Sequence, residues 1–249
     1  MMSTFQSKLH TIATIRRPLG FLALLPVALF VAFSANAAPL ASYNMENVSN
    51  RSLASFVAGN VTATSLTGNN LNAFGAVQKP TGNYYTTWVT TAGGGVTAQD
   101  ALTAAQYMYL TVTPGAGASF TLSSISFDIF AATGGPSARQ IYLFSDKTGF
   151  ADGSELLTAS TVAGTPLIPY NTVATGQNFS IDLSGFASMA NINDSATFRF
   201  YFQTPNATQG IALDNITVSG TVVPEPSTVA LLGVGLFSLL ASHRNRRQT

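Results

Sequence analysis

The chain has no cysteine and only two histidines, His10 and His243, both near its ends. Without cysteine there is no disulfide, thiolate nucleophile, zinc–thiolate centre or cysteine-ligated iron–sulfur cluster. Between residues 38 and 226 histidine is missing too, so a Ser-His-Asp relay has no base to set between nucleophile and acid. A lysine could stand in, but only Lys79 and Lys147 occur there, and neither follows a serine at S-x-x-K spacing. Charge is scarce as well, at 8% of residues against about 25% in an average soluble domain. With 46% hydrophobic residues, that composition excludes an intrinsically disordered chain. A net charge of +1 gives no reason to expect a nucleic-acid partner.

The few charges are unevenly placed along the 249 residues. Lys8, Arg16 and Arg17 precede an apolar run from Leu19 to Phe33, and Arg244, Arg246 and Arg247 follow a second run from Val229 to Ala241. The region between keeps five cations (Arg51, Lys79, Arg139, Lys147 and Arg199) against all ten acids, a net charge of −5. The length suits one large domain or two small ones. No composition change, linker or 20–50-residue repeat divides the middle, which argues for one.

The N-terminal segment has the layout of a secretory signal: a basic stretch, the apolar run, then Ala35-Asn36-Ala37 before Ala38. Small residues at Ala35 and Ala37 supply the A-x-A pattern, which predicts a cut by signal peptidase after Ala37. The other reading is an uncleaved anchor, but a helix over 19–33 is only about 22 Å long, short of a hydrocarbon core of about 30 Å.

At the other end, Val223-Pro224-Glu225-Pro226-Ser227-Thr228 breaks any preceding strand, because proline fixes φ and removes a donor. The apolar run Val229–Ala241, with its Leu231-Leu232-Gly233-Val234-Gly235-Leu236 core, and the basic cluster follow. This ordered set over residues 223–249 resembles the PEP-CTERM sorting signal of Gram-negative bacteria. The resemblance implies export through the inner membrane, transient anchoring by the helix 229–241, and recognition by an exosortase near Pro224, Glu225 and Pro226. It also implies release to the cell surface or extracellular matrix, in association with exopolysaccharide. A helix over 229–241 spans about 20 Å, a marginal anchor, and the arginines after it belong on the cytoplasmic side. A permanent tail anchor is the alternative.

The body reads as all-β. Met108, Leu110 and Val112 alternate with Tyr107, Tyr109 and Thr111; Phe198, Phe200 and Phe202 share a face; Ile141/Leu143, Phe179/Ile181/Leu183 and Val61/Ala63 follow the same period of two. Two runs change phase, Phe120/Leu122 to Ile125/Phe127/Ile129 and Ile211/Leu213 to Ile216/Val218. Each change predicts a bulge or kink, the second at Asp214-Asn215. Turn chemistry marks Thr67-Gly68-Asn69-Asn70, Pro80-Thr81-Gly82-Asn83, Pro114-Gly115-Ala116-Gly117 and Gly134-Gly135-Pro136. Short helices are expected only within Asp100–Tyr107 and Ser184–Ile192. The expected fold is a single antiparallel β-sandwich, flanked by a signal helix and a short apolar helix, with domains 1–37, 38–222 and 223–249. These strand patterns look like the jelly-roll body common among PEP-CTERM proteins, similar in outline to carbohydrate-binding sandwiches.

Three sets of residues are candidates for chemistry. Asn44 and Glu46, placed in the first strand, and Asp214, at the kink of the last, could meet if those strands are neighbours and hold a structural calcium with backbone carbonyls and water. The resemblance to carbohydrate-binding sandwiches implies calcium at comparable ends of the fold; otherwise Asp214 bonds backbone N–H groups at the bulge and Glu46 is surface. Tyr84, Tyr85 and Trp88 form the richest aromatic cluster and could stack on sugar C–H faces, although an ordinary half-buried strand shows the same pattern. Asp146, Asp152 and Glu155 could supply a carboxylate pair for glycoside hydrolysis, or lie in a solvated hairpin loop. The N-x-S/T triplets at Asn47, Asn60, Asn206 and Asn215 carry no meaning in a bacterial chain. A non-enzymatic surface or matrix protein that binds exopolysaccharide is the expectation. A carboxylate-dependent carbohydrate-active enzyme and a calcium-dependent lectin or adhesin are the alternatives.

Overall fold

In a computed structural model, residues 37–46, 50–79, 82–89, 97–131, 139–160, 177–204 and 210–224 are described, with Gly233, Gly235, Leu236 and Ser238. The chain divides into two compact units, Met1–Ser34 and Ala35–Thr249, and every described residue belongs to the second.

In chain order the strands begin with β1 (Ala38–Tyr43), β2 (Phe56–Val57), β3 (Val61–Ala63), β4 (Thr67–Asn69), β5 (Leu71–Lys79) and β6 (Gly82–Val89). After helix α1 (Ala98–Ala104) come β7 (Tyr107–Pro114), β8 (Ala118–Ala131), β9 (Gln140–Ser145) and β10 (Leu157–Ser160). β11 (Gln177–Asp182), a 3-10 turn (Ala187–Met189), β12 (Ala196–Gln203) and β13 (Ile211–Pro224) complete the order. One antiparallel sheet runs β11-β8-β13-β1-β2, with β6 beside the start of β13 and β5 beyond β6. The other runs β10-β9-β12-β7-β3, with β4 also on β7. The fold is the all-β sandwich that the alternating pattern predicts.

Period-two alternation sends one face of each sheet into a shared core. Met108, Leu110, Val112, Phe198, Phe200 and Phe202 enter it from one sheet, and Phe120, Leu122, Ile125, Phe127 and Ile129 from the other. Phe127 and Phe200 meet across the sandwich edge to face, with centroids 5.1 Å apart. Burying a side chain of this size is worth about 1.5–3 kcal/mol, and the core repeats it many times over.

Both expected phase changes are present. Between β8 and β13 the register slips once between Asp214 and Thr217, and again between Ser219 and Gly220, where Ser124 and Leu122 are the partners. Asn215 takes a positive φ of 48°, a conformation that asparagine tolerates better than most residues. At the second slip the backbones approach so closely that a Cβ on Gly220 would overlap the Thr121 carbonyl oxygen and come within 3.0 Å of Leu40 Cδ1.

Local signals elsewhere hold in part. α1 starts at its Thr97 cap, whose hydroxyl accepts from the Asp100 N–H, and ends where Ala105 turns left-handed at φ 50°. It therefore sits two residues earlier than the expected segment begins. The Pro114–Gly117 turn joins β7 to β8, with Gly117 at φ 70°. Thr67-Gly68-Asn69, by contrast, is not a turn: it is strand β4 against Tyr109-Met108-Tyr107, and the bend between β4 and β5 falls on Asn70, at φ 51°. The Asn69 amide donates to the Ala105 carbonyl, 2.8 Å away, which gives this polar residue a reason to stay in a strand. Lys79 pairs with Gly82, so the second turn signal joins β5 to β6, although Pro80 and Thr81 are outside the described residues, as are Gly134–Pro136.

Replacing Gly220 by alanine is expected to destabilise the body by about 1–3 kcal/mol, the usual cost of overpacking. A lowered melting temperature in thermal unfolding is the expected result. Wild-type melting would mean that the two strands do not approach so closely at this bulge.

Candidate functional site

The bulge in β13 builds a polar cluster on the outer face of its sheet. Asp214 stands directly opposite Asp128 of β8, and Asp128 opposite Asn178 of β11. Like charges directly across a ladder are destabilising, so this pairing needs compensation. Asp128 has it: Oδ1 accepts from the Asn178 amide at 3.0 Å, and Oδ2 from the Asn215 amide at 2.8 Å. Reaching Asp128 in this way uses the left-handed turn at Asn215. Asp214 is half-buried, and its Oδ1 accepts the Asn215 backbone N–H at 2.7 Å. Burial, first, pushes the Asp214 carboxyl up to about 7; the Asn215 N–H opposes this, while the charges of Asp128 and Glu46 add to the rise. Glu46 is therefore near enough for its charge to be felt at Asp214.

Two of the three expected cation ligands are thus brought into one electrostatic neighbourhood. The expected proximity of first and last strands holds, since β1 pairs with β13 from Ala38↔Gly220 to Tyr43↔Ile216. The placement of Asn44 and Glu46 within the first strand does not. β1 stops at Tyr43, and Met45 turns left-handed at φ 56°, which carries both residues into the turn beyond it. There Asn44 Oδ1 accepts the Glu46 N–H at 3.2 Å. Asp128 was missed as a member. Its position opposite Asp214 depends on a register that no local pattern in the sequence discloses. Among the described residues, no three His, Cys, Asp or Glu side chains stand close enough together to hold a metal ion.

The aromatic set lies on β6. Tyr85 is in register with Leu213 of β13 and Ala76 of β5, Tyr84 with Val77, and Trp88 with Ala73. Their backbone positions thus flank the start of β13, but on a different strand pair from the Asp128–Asp214 cluster.

A second aromatic group, not anticipated as a unit, covers the outer face of the other sheet. Arg199 of β12 lies 3.8 Å from the Phe150 ring centroid and 4.8 Å from that of Tyr107, and its Nη1 donates to the Tyr201 hydroxyl at 3.2 Å. Tyr107 in turn packs against Tyr109 and Tyr201. The alternation does mark these tyrosines as outward-facing; what unites them is the pairing of β7 with β12.

The loop with Asp146, Asp152 and Glu155 carries local structure. Asp146 Oδ1 accepts the Thr197 N–H at 2.7 Å, Lys147 Nζ bridges to Asp194 at 2.7 Å and Asp146 at 3.6 Å, and Glu155 Oε1 accepts the Gly153 N–H at 3.1 Å.

At the ends of the body, Ala37 is exposed just before β1, and Ala35 lies outside the described residues. Pro224 is the last residue of β13, while Glu225 and Pro226 lie outside. Of the run 229–241, only Gly233, Gly235, Leu236 and Ser238 are described, all helical. Among the described residues, no helix is long and apolar enough to cross a membrane.

The raised Asp214 pKa fixes a pH dependence. Its folded value, about 7, exceeds the ordinary carboxylate value of 3.8, so the folded state keeps a proton that the unfolded state has released. Stability from this group is therefore full below pH 4 and is lost as pH rises towards 7. Asp214→Asn is expected to flatten the fall in melting temperature between pH 4 and 7 and to melt higher than wild type at pH 8. Parallel pH profiles for the two proteins would show that Asp214 titrates normally.

No curated relative of the chain is found by sequence. Among solved structures, the chain is similar to the K1 cleaved adhesin domain of Lys-gingipain from Porphyromonas gingivalis W83, at 15% identity, with 74% of this chain and 98% of that one covered and a TM-score of 0.37. It is also similar to TmCBM27, a carbohydrate-binding module studied for mannan recognition, at 11% identity, 75% and 99% coverage and a TM-score of 0.40. A third likeness is to the family 11 carbohydrate-binding module of Clostridium thermocellum, at 14% identity, 73% and 96% coverage and a TM-score of 0.35. A family model for the PEP-CTERM protein-sorting motif matches residues 222–247, so the match opens at Val222, one residue before the expected boundary and inside β13. The chain therefore carries, overlapping the end of β13, a PEP-CTERM protein-sorting motif.

Proposed function

We propose that this chain is the precursor of a non-enzymatic surface or extracellular-matrix protein, sorted by its C-terminal motif and binding exopolysaccharide through its β-sandwich. The observation that carries the sorting part is the motif match at residues 222–247, which begins within the last three residues of β13. Signal peptidase removes residues 1–37, the helix over 229–241 holds the chain in the inner membrane, and an exosortase cuts near Pro224-Glu225-Pro226. The absence of cysteine and histidine from the body supports a binding role over a catalytic one. Mass spectrometry of the exported protein tests the route: the expected species begins at Ala38 and lacks the C-terminal arginines. An intact C-terminus on exported protein would refute it.

Glycan binding falls to Tyr84, Tyr85 and Trp88, with aromatic rings stacking on sugar C–H faces. Calcium is the cation suited to the bulge, held by Asp214, Glu46 and Asn44 with backbone carbonyls and water. It would offset the burial and the neighbouring charges of Asp128 and Glu46 that raise the Asp214 pKa. Trp88 is the sole tryptophan, so its emission reports directly on the first site. Native exopolysaccharide is expected to shift that emission, and Trp88→Ala to abolish retardation in a glycan gel. Adding calcium to chelated protein should raise the melting temperature at pH 8, and Asp214→Ala should remove the rise. Unmoved emission counts against the glycan site, and unmoved melting against the calcium.

A further inference from the structure

Among the described residues, β13 runs into the sorting motif with one side unpaired. β13 is paired with β8 through to its final residues, Val222↔Phe120, Val223↔Ser119 and Pro224↔Ala118. Its other neighbour, β1, ends at Ala38 opposite Gly220. Among the described residues no strand continues the line of β1 beside Thr221–Pro224. A cut after Ala37 leaves nothing to extend it.

Hydrogen bonds across the neighbouring strand tell which main-chain groups face this open side. Phe120 exchanges both of its main-chain bonds with Ile192: its N–H donates to the Ile192 carbonyl at 2.9 Å and its carbonyl accepts from the Ile192 N–H at 2.8 Å. Phe120 therefore has nothing left to give Val222, and the two form a non-hydrogen-bonded pair of the antiparallel ladder. The N–H and C=O of Val222 must then point away from β8, to the side where β1 has ended. The neighbours Thr221 and Val223 are turned the other way, towards Thr121 and Ser119. Pro224 shares the outward parity of Val222 but has no N–H, so the edge offers one donor and then stops. An edge this short is protected against indiscriminate strand pairing, yet it holds one residue ready for a partner in extended conformation.

We propose that the open edge at Val222 is the docking strand for the peptidase that reads the sorting motif, which adds a strand of its own to β13 and takes the folded body without unfolding it. Continuity supports this occupant over others: the motif match begins at Val222, so the residue whose outward main-chain groups no described strand pairs is also the first residue of the signal. Chain length agrees. From Pro224 to Val229 is five residues, at most about 18 Å when extended, so a body tethered by the helix 229–241 holds this edge close to the membrane surface. The inference rests on the sorting reading and adds to it the way the enzyme grips its substrate.

Val222→Pro in the full chain tests it, with processing followed in the exporting cell. Proline removes the outward N–H while costing no bond to β8, and edge positions tolerate it. Val222→Ala keeps the N–H and removes most of the side chain. Processing of Val222→Pro is expected to slow about tenfold, the loss of one main-chain hydrogen bond, with Val222→Ala cut at nearly the wild-type rate. Wild-type processing of Val222→Pro overturns the proposal, and so does equal slowing of both variants, which would assign the effect to side-chain packing. If Val222→Pro does not fold, hydrogen exchange at the Val222 amide of the wild-type chain decides instead. Membranes holding an inactive exosortase should slow it, and unchanged exchange overturns the docking. A wild-type chain that is exported and never cut overturns the sorting reading itself, and the docking with it.

Discussion

The pairing of β8 with β13 is the constraint on which the rest depends. These two strands run the length of one sheet, from Ile211↔Ala131 to Pro224↔Ala118, and carry β11 on one flank and β1 and β6 on the other. Their two slips of register keep apolar residues on the core face although the sequence changes phase along both strands. Without the slips, either Phe120 and Leu122 or Ile125, Phe127 and Ile129 would face solvent. The first slip also sets Asn215 in its left-handed turn and Asp214 against Asp128. The second brings the backbones together at Gly220. One ladder thus accounts for the core, the acidic cluster and the direction in which the chain leaves the body.

The acidic cluster shows how a local cost is carried. Two aspartates face one another in a sheet with few cations, and two asparagine amides satisfy only one of them. For the other, burial raises the pKa to about 7, so it takes up a proton far more readily than an exposed carboxyl does. A bound cation would do the same work with the proton gone. Acid conditions and the calcium proposed above would therefore serve the same carboxyl, and on that proposal the body should be most sensitive to chelation where the proton is lost.

The strands, their core faces and both bulges were legible in the sequence because each rests on a period of two read within a few residues. The same local logic misplaced Thr67–Asn69, where Gly and Asn look like a turn but bond across to β7 and to Ala105. It also ran β1 three residues too far, to Glu46, since nothing near Asn44 announces the left-handed Met45. Of the site, Asp214 could be found from its kink, whereas Asp128 could not, because its membership depends on a partner 86 positions away in the chain. The aromatic face around Arg199 was hidden for the same reason: Tyr107, Phe150 and Tyr201 meet only once β7, β9 and β12 are paired. The sorting motif was legible throughout, being an ordered linear signal. Its overlap with the sheet was not.

That overlap is the centre of the account, and amide hydrogen exchange along β13 of the exported body tests it most directly. If the strand persists to Pro224 with its far side open, the Thr221 and Val223 amides exchange slowly and the Val222 amide between them exchanges fast. Uniformly fast exchange from Gly220 onward would contradict it, by showing that the sheet ends before the motif begins. Equal protection of all three amides would contradict it as well, by showing that the edge is already occupied.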